Sequence, residues 1–147
     1  MTFPSGLGQR DTRTITLSDG RPNPQKRAGM PYETITTAEI GAMAENPQTS
    51  PKEHARWFIP STYNDHDARI HEVQRQHGSF GWLKLDVDTN NLSLEAVDAT
   101  LSQVIGEASH IIYSTRSATE ENKKWRALIP LANDIEGADF SDTQNAF

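Results

Sequence analysis

Apolar and polar positions alternate with period two from Ser79 to Asp88. Gly81, Leu83, Leu85 and Val87 fall on one side, and Phe80, Trp82, Lys84, Asp86 and Asp88 on the other, which predicts a strand. Behind it the period lengthens. Leu94, Val97, Leu101, Val104 and Ile105 recur at helical spacing, with Ser93 placed to cap the start and Gly106 to end the helix. Strands are expected again at about 110–115 and 125–131, separated by the polar turn 118–124. The order strand–helix–strand–strand predicts an α/β or α+β fold, with a small central sheet and helices mainly on one face.

Ahead of Ser79 the pattern is helical. Thr36 and Glu39 form a Thr-x-x-Glu capping box before Ile40 and Met43. Ser50-Pro51 predicts a second, short helix from Lys52 to about Phe58, stopped before Pro60. A third is expected over about 64–77, with Ile70, Val73 and His77 on one face and Gly78 ending it. Residues 1–31 carry four Gly and four Pro and no helical period, so they read as an irregular tail in which Thr12 to Leu17 pair at most as an edge strand. The expected organisation is therefore a tail, 1–31, and one α/β domain, 32–147, with no internal repeat.

Composition narrows the classes. A chain of 147 residues suits one domain with a core. An apolar share of 35% and a mean hydropathy of -0.67 suit a modest core with loop-rich flanks. The absence of cysteine removes disulfides and thiolate metal sites. No run approaches a membrane span or a signal-peptide core, so a cytoplasmic protein without membrane partners is expected. The net charge of -6 is uneven: nine Lys/Arg and nine Asp/Glu precede Gln76, five and eleven follow. The back half is thus no generic phosphate-binding surface. Nucleic-acid contact there must use local basic spots or a bridging metal ion. Arg21, Lys26 and Arg27 form one small basic cluster, read as part of a solvated tail.

The strongest chemical feature is Asp86 and Asp88. Two carboxylates two apart on a strand leave by one face, roughly 6–7 Å apart at the backbone. They can converge on a hard divalent cation, and they stand at the C-terminal end of their strand, where open sheets often place ligands. An EF-hand loop opening at Asp86 is rejected. It would need Gly at Asn91 and Glu at Val97, and a helix where this chain has a strand. Arg126 lies within a strand, out of phase with Trp125, Ala127, Ile129 and Leu131, and is a candidate phosphate ligand together with Arg116 and Lys124. Lys123 and Lys124 also read as ordinary turn charges. The five His show no ligand spacing, Ser114, Thr115 and Ser117 lack a His–Asp partner set, and no phosphate-loop or Rossmann glycine signature occurs.

The segment from Trp57 to Asp88, followed by a helix and by His110 to Ala132, resembles the archaeo-eukaryotic primase superfamily, most closely the primase–polymerase domains of phage and plasmid replication proteins. The resemblance spans roughly residues 36–147, the front part of a longer domain. It assigns Asp86 and Asp88 to the family's acidic pair. The family's later Ser-x-His motif is met by Lys124-Trp125-Arg126, with Arg126 in place of the His, and Tyr113-Ser114-Thr115 matches the stretch before it. No strand-borne third acid is placed, because Asp134, Glu136, Asp139 and Asp142 read as loop or final helix. What the resemblance implies is a nucleotidyltransferase domain. Mg²⁺ or Mn²⁺ would be held by Asp86 and Asp88, and a nucleoside triphosphate would meet Ser114, Arg116, Lys124 and Arg126. A nucleic-acid template and a protein partner are the further expected partners, inside the bacterial host of a mobile element. The alternative is a non-catalytic accessory or inhibitor protein derived from that fold.

Overall fold

The computed structural model describes residues 14–47 and 49–147. Among these residues, two small three-stranded antiparallel sheets and four helices make a mixed α+β fold. The first sheet is built from β1 (Thr14–Ser18), β2 (Tyr32–Thr36) and β3 (Phe58–Ile59), in the order β2-β1-β3. The second contains β4 (Ser79–Val87), β5 (Ile111–Ser114) and β6 (Trp125–Glu136), in the order β4-β6-β5. The helices are α1 (Thr37–Glu45), α2 (His71–His77), α3 (Leu94–Ile105) and α4 (Gly137–Ala146).

Alternation along β4 explains the layering. Leu83 joins Ile112, Ala127 and Ile129 of its neighbours and packs on Val97 and Leu101 of α3. From the other face Trp82, Ile111 and Leu128 meet Ile15, Leu17 and Ile35 of the first sheet and Ile40 of α1. The helices are therefore not gathered on one face as expected: α3 covers one side, and the other is covered by a second sheet. That sheet includes part of the expected tail. β1 is its central strand, with Ile15, Thr16 and Leu17 all at 1% exposure or less. The Thr-Ile-Thr-Leu alternation places Ile15 and Leu17 in the inter-sheet core. Thr16 turns to the other side and donates to the Ser61 carbonyl at 2.6 Å. The earlier part of the expected tail, with Thr12, lies outside the described residues.

The capping box forms as expected. The Thr36 hydroxyl accepts from the Glu39 amide at 3.3 Å, and Glu39 accepts from the Thr36 amide at 2.7 Å. Ser93 likewise caps α3, accepting from the Ala96 amide at 3.2 Å. Two expected helices are cut short. Lys52–His54 makes a single 3-10 turn. The chain beyond it is then drawn into β3, because Trp57 and Arg56 both bond Ser18. Of the expected 64–77 helix only His71–His77 forms. Asp65 and Asp67 close two successive turns instead. The side chain of Gln74 bonds the carbonyls of Tyr63 and Ala68, so Gln74, not Ile70, is the buried residue.

β6 runs five residues past Leu131. Phe80 pairs with Ile135 while Trp82 pairs with Pro130, so the partner strand bulges between them. Pro130 has no amide to give the ladder, which suits a break there. The bulge erases the period-two signal, which is why the sequence pattern stops early. α4 then folds back along β4. Phe140 stacks on Phe80 with centroids 3.8 Å apart, and the Gln144 side chain accepts from the Lys84 amide at 3.1 Å. A Cβ at Gly137 would collide with the Gln74 carbonyl oxygen, so glycine permits the close approach of α4 to α2.

Candidate functional site

Three residues stand side by side across the second sheet: Asp86 on β4, Arg126 on β6 and Tyr113 on β5. Arg126 Nε donates to Asp86 Oδ1 at 2.6 Å, and Lys84 Nζ lies 3.7 Å from Asp86 Oδ2. Asp86 is 42% exposed and Arg126 26%, so the pair is worth only about 0–1 kcal/mol to folding. Burial opposes the Arg126 charge. The bond to Asp86 and the neighbouring Tyr113 hydroxyl outweigh it, and its pKa lies above the ordinary arginine value. The Tyr113 hydroxyl is buried without a hydrogen-bond partner of good geometry. Burial pushes its pKa up to about 12, against the pull of the Arg126 charge.

Asp88 follows the end of β4 and is exposed. The turn after it uses Asn90 and Asn91 in left-handed backbone, with φ of 62° and 48°, a conformation asparagine tolerates. The Asn91 side chain accepts from the Lys123 amide at 2.7 Å, and Trp125 Nε1 donates to the Leu92 carbonyl at 2.8 Å. The loop carrying Asp88 is thus pinned to the β5–β6 hairpin. Both carboxylates are hard oxygen donors. That set fits a Mg²⁺-type ion, which takes one or two protein carboxylates and completes its shell with phosphates and water. Among the described residues no three His, Asp or Glu side chains are placed to share one metal ion.

The other expected site residues are spread out. Ser114 pairs with Trp125, one step from the Tyr113–Arg126 pair, so its side chain leaves by the opposite face of the sheet. Arg116 is held by the Ser50 carbonyl. Lys124 sits at the base of the hairpin, where its carbonyl accepts from the Thr115 amide. Asp134 and Glu136 do lie on a strand, contrary to expectation, but at the wrong end. Asp134 meets Ser79 at 3.4 Å, and Asp86 lies seven steps along the strand from Ser79, about 23 Å. In the N-terminal basic cluster, Arg21 and Arg27 are both bound to Asp19.

Sequence reasoning missed a cleft of about 680 Å³ between the segment before Ser61, α2, α4 and the sheet. Four permanent cations line it, Arg69, Arg75, Lys84 and Arg126, against one acid, Glu72. In a chain of net charge -6 this is a local reversal of sign. Arg69 lies over the Trp57 ring, 5.6 Å from its centroid. Arg126 was legible as a strand-borne cation and Lys84 as the strand neighbour on the Asp86 face; Trp57, Arg69 and Arg75 come from segments with no shared period.

Fold and site together define a mixed α+β domain with a half-exposed acid–base pair beside a cationic cleft. Comparison with protein-family models, with curated proteins and with solved structures returns no significant match. No helix among the described residues is long and apolar enough to cross a membrane.

Proposed function

We propose that the protein is a metal-dependent nucleotide-binding domain of the primase–polymerase nucleotidyltransferase type, encoded by a phage or plasmid and working in the host cytoplasm. The observation that carries this reading is the placement of Asp86 against Arg126 and Lys84, two of the cations that line the cleft. Carboxylates for a divalent ion and cations for phosphate oxygens then lie within one side chain of each other, which is what a metal–triphosphate ligand requires. Asp86 and Asp88 would hold Mg²⁺ or Mn²⁺, and the ion would screen the triphosphate charge. Arg126 and Lys84 would take the phosphate oxygens, while Arg116 and Ser114 would join only if the hairpin shifted. Calorimetry with Mn²⁺ and a nucleoside triphosphate tests this. Binding that needs the metal, and is lost in Asp86→Ala/Asp88→Ala, is the expected result; equal binding by the double variant would sink it.

One observation favours a second reading, a non-catalytic accessory protein of the same origin. The other strand-borne acids, Asp134 and Glu136, lie at the far end of β4 and do not complete a two-metal set at Asp86. Binding without turnover is then the whole activity, with a template-bound protein as the partner.

A further inference from the structure

The cleft is larger than a triphosphate needs, and its cations fall into two groups. Lys84 and Arg126 belong to the sheet and touch Asp86. Arg69 belongs to the segment before α2 and lies over Trp57. Tyr32 also packs on the same indole in a T-shaped arrangement, with centroids 5.8 Å apart, which helps hold the ring in place. The Arg69 side chain is exposed and Trp57 half-buried. The Arg69 guanidinium lies within cation–π range of the indole and lines the cleft, and nucleobases stack on arginine planes as they do on aromatic rings. Ser141 and Asn145 of α4 line the cleft with uncharged polar groups, suited to a base edge and not to another phosphate.

We propose that the nucleobase of a bound nucleoside triphosphate stacks on the Arg69 guanidinium beside Trp57, while its phosphates lie at Lys84 and Arg126. The inference rests on the nucleotide reading above for the phosphate end, but it adds a base subsite made by residues that reading does not use. Affinity should therefore depend on the base. Stacking on one such platform is worth on the order of tenfold in affinity or more.

The test compares ATP, GTP, CTP and UTP with inorganic tripolyphosphate, each with Mn²⁺, on the whole chain. The nucleotides should bind about tenfold tighter than tripolyphosphate and quench tryptophan fluorescence, and Trp57→Phe should remove the quench. Arg69→Ala should bring the nucleotides down to the tripolyphosphate level and leave tripolyphosphate unchanged. Arg69→Lys should not restore the difference, because an ammonium keeps the charge without the plane. Equal affinity for nucleotide and tripolyphosphate, with metal dependence intact, overturns the base subsite and spares the metal–triphosphate reading. So does an Arg69→Ala variant that weakens both ligands alike, since Arg69 then acts only as a charge. Base-dependent binding that ignores Mn²⁺ and the Asp86→Ala/Asp88→Ala change keeps the subsite and overturns the metal reading. Binding of neither ligand overturns both.

Discussion

At the residue scale, the proposed function turns on the contact of Asp86 with Arg126. The groups which that reading assigns to metal and to phosphate neutralise each other at 2.6 Å, so under it each ligand must disengage the pair, and each helps the other. Asp86→Asn removes the competing charge and releases Arg126. It should raise metal-free tripolyphosphate affinity by several-fold while abolishing the Mn²⁺-dependent gain; a drop in metal-free affinity, seen by calorimetry, would show that Asp86 does not compete. Arg126→Ala should weaken triphosphate binding on the order of tenfold, as expected for a lost charge-assisted bond. Its melting temperature should barely change, since the pair is exposed on the Asp86 side. A fall of many degrees would instead make Arg126 a structural residue. The sequence made this contact half visible: period two placed Asp86 and Arg126 on strands, but register, set by backbone pairing, put them opposite each other.

At the element scale, β1 and the loop after it are held by charge as well as by packing. Asp19 takes a two-pronged bond from Arg27, at 2.6 and 2.9 Å, and bonds from the amide and Nε of Arg21. The Arg27 guanidinium, first among these, holds the Asp19 carboxyl far below the usual carboxylate range. A depressed folded-state pKa stabilises the fold above the unfolded value, near 4, and that stability drains away as pH falls through and below it. Urea titrations between pH 7 and pH 3 should show Asp19→Asn to be less stable at neutral pH, with the gap to the parent narrowing toward acid. A constant gap would mean that the ion pair is not the source. For α3, Ser93→Ala should cost about 1 kcal/mol through the lost cap, measured by the same titration. The caps at Thr36 and Ser93 were legible because a cap is a local bond, reaching three residues along the chain. The helix expected over 64–77 was not, because Gln74 spends its side chain on the carbonyls of Tyr63 and Ala68, a tertiary bond that periodicity does not encode.

At the scale of the whole molecule, the two sheets share one core, and Trp82, fully buried, sits in it. Trp82→Ala should destabilise by about 3–5 kcal/mol, and loss of the cooperative melt would be no surprise. The catalytic consequence is separate. Two-metal phosphoryl transfer needs enough carboxylates to hold both ions, and misplacement by about an ångström costs on the order of a hundredfold. Asp134 and Glu136 stand near the Ser79 end of β4, and Asp86 near the other. The purified chain should therefore give no primer extension and no de novo priming with Mn²⁺. Product that disappears in Asp86→Ala would mean that the carboxylate set is complete after all.

Local chemistry decided much of this protein before it folded. The β4 alternation, the α3 stripe, apart from Val104, which was expected on it and is 65% exposed, and the two N-caps are all set by neighbours within a few residues, so they could be read directly from the chain. Three features could not. The Thr14–Ser18 segment became a central strand because both of its edges found partners, β2 and β3, and one of its faces packed on Trp82. β6 passed through the bulge at Pro130 because Ile135 could rejoin Phe80. The cationic cleft arose because Trp57, Arg69, Arg75, Lys84 and Arg126, up to 69 positions apart in the chain, were brought together by sheet pairing and by the packing of α2 against α4. Backbone propensity acts over a turn or a strand. Which faces meet, and which charges are gathered between them, is settled only when apolar area is buried across the whole chain.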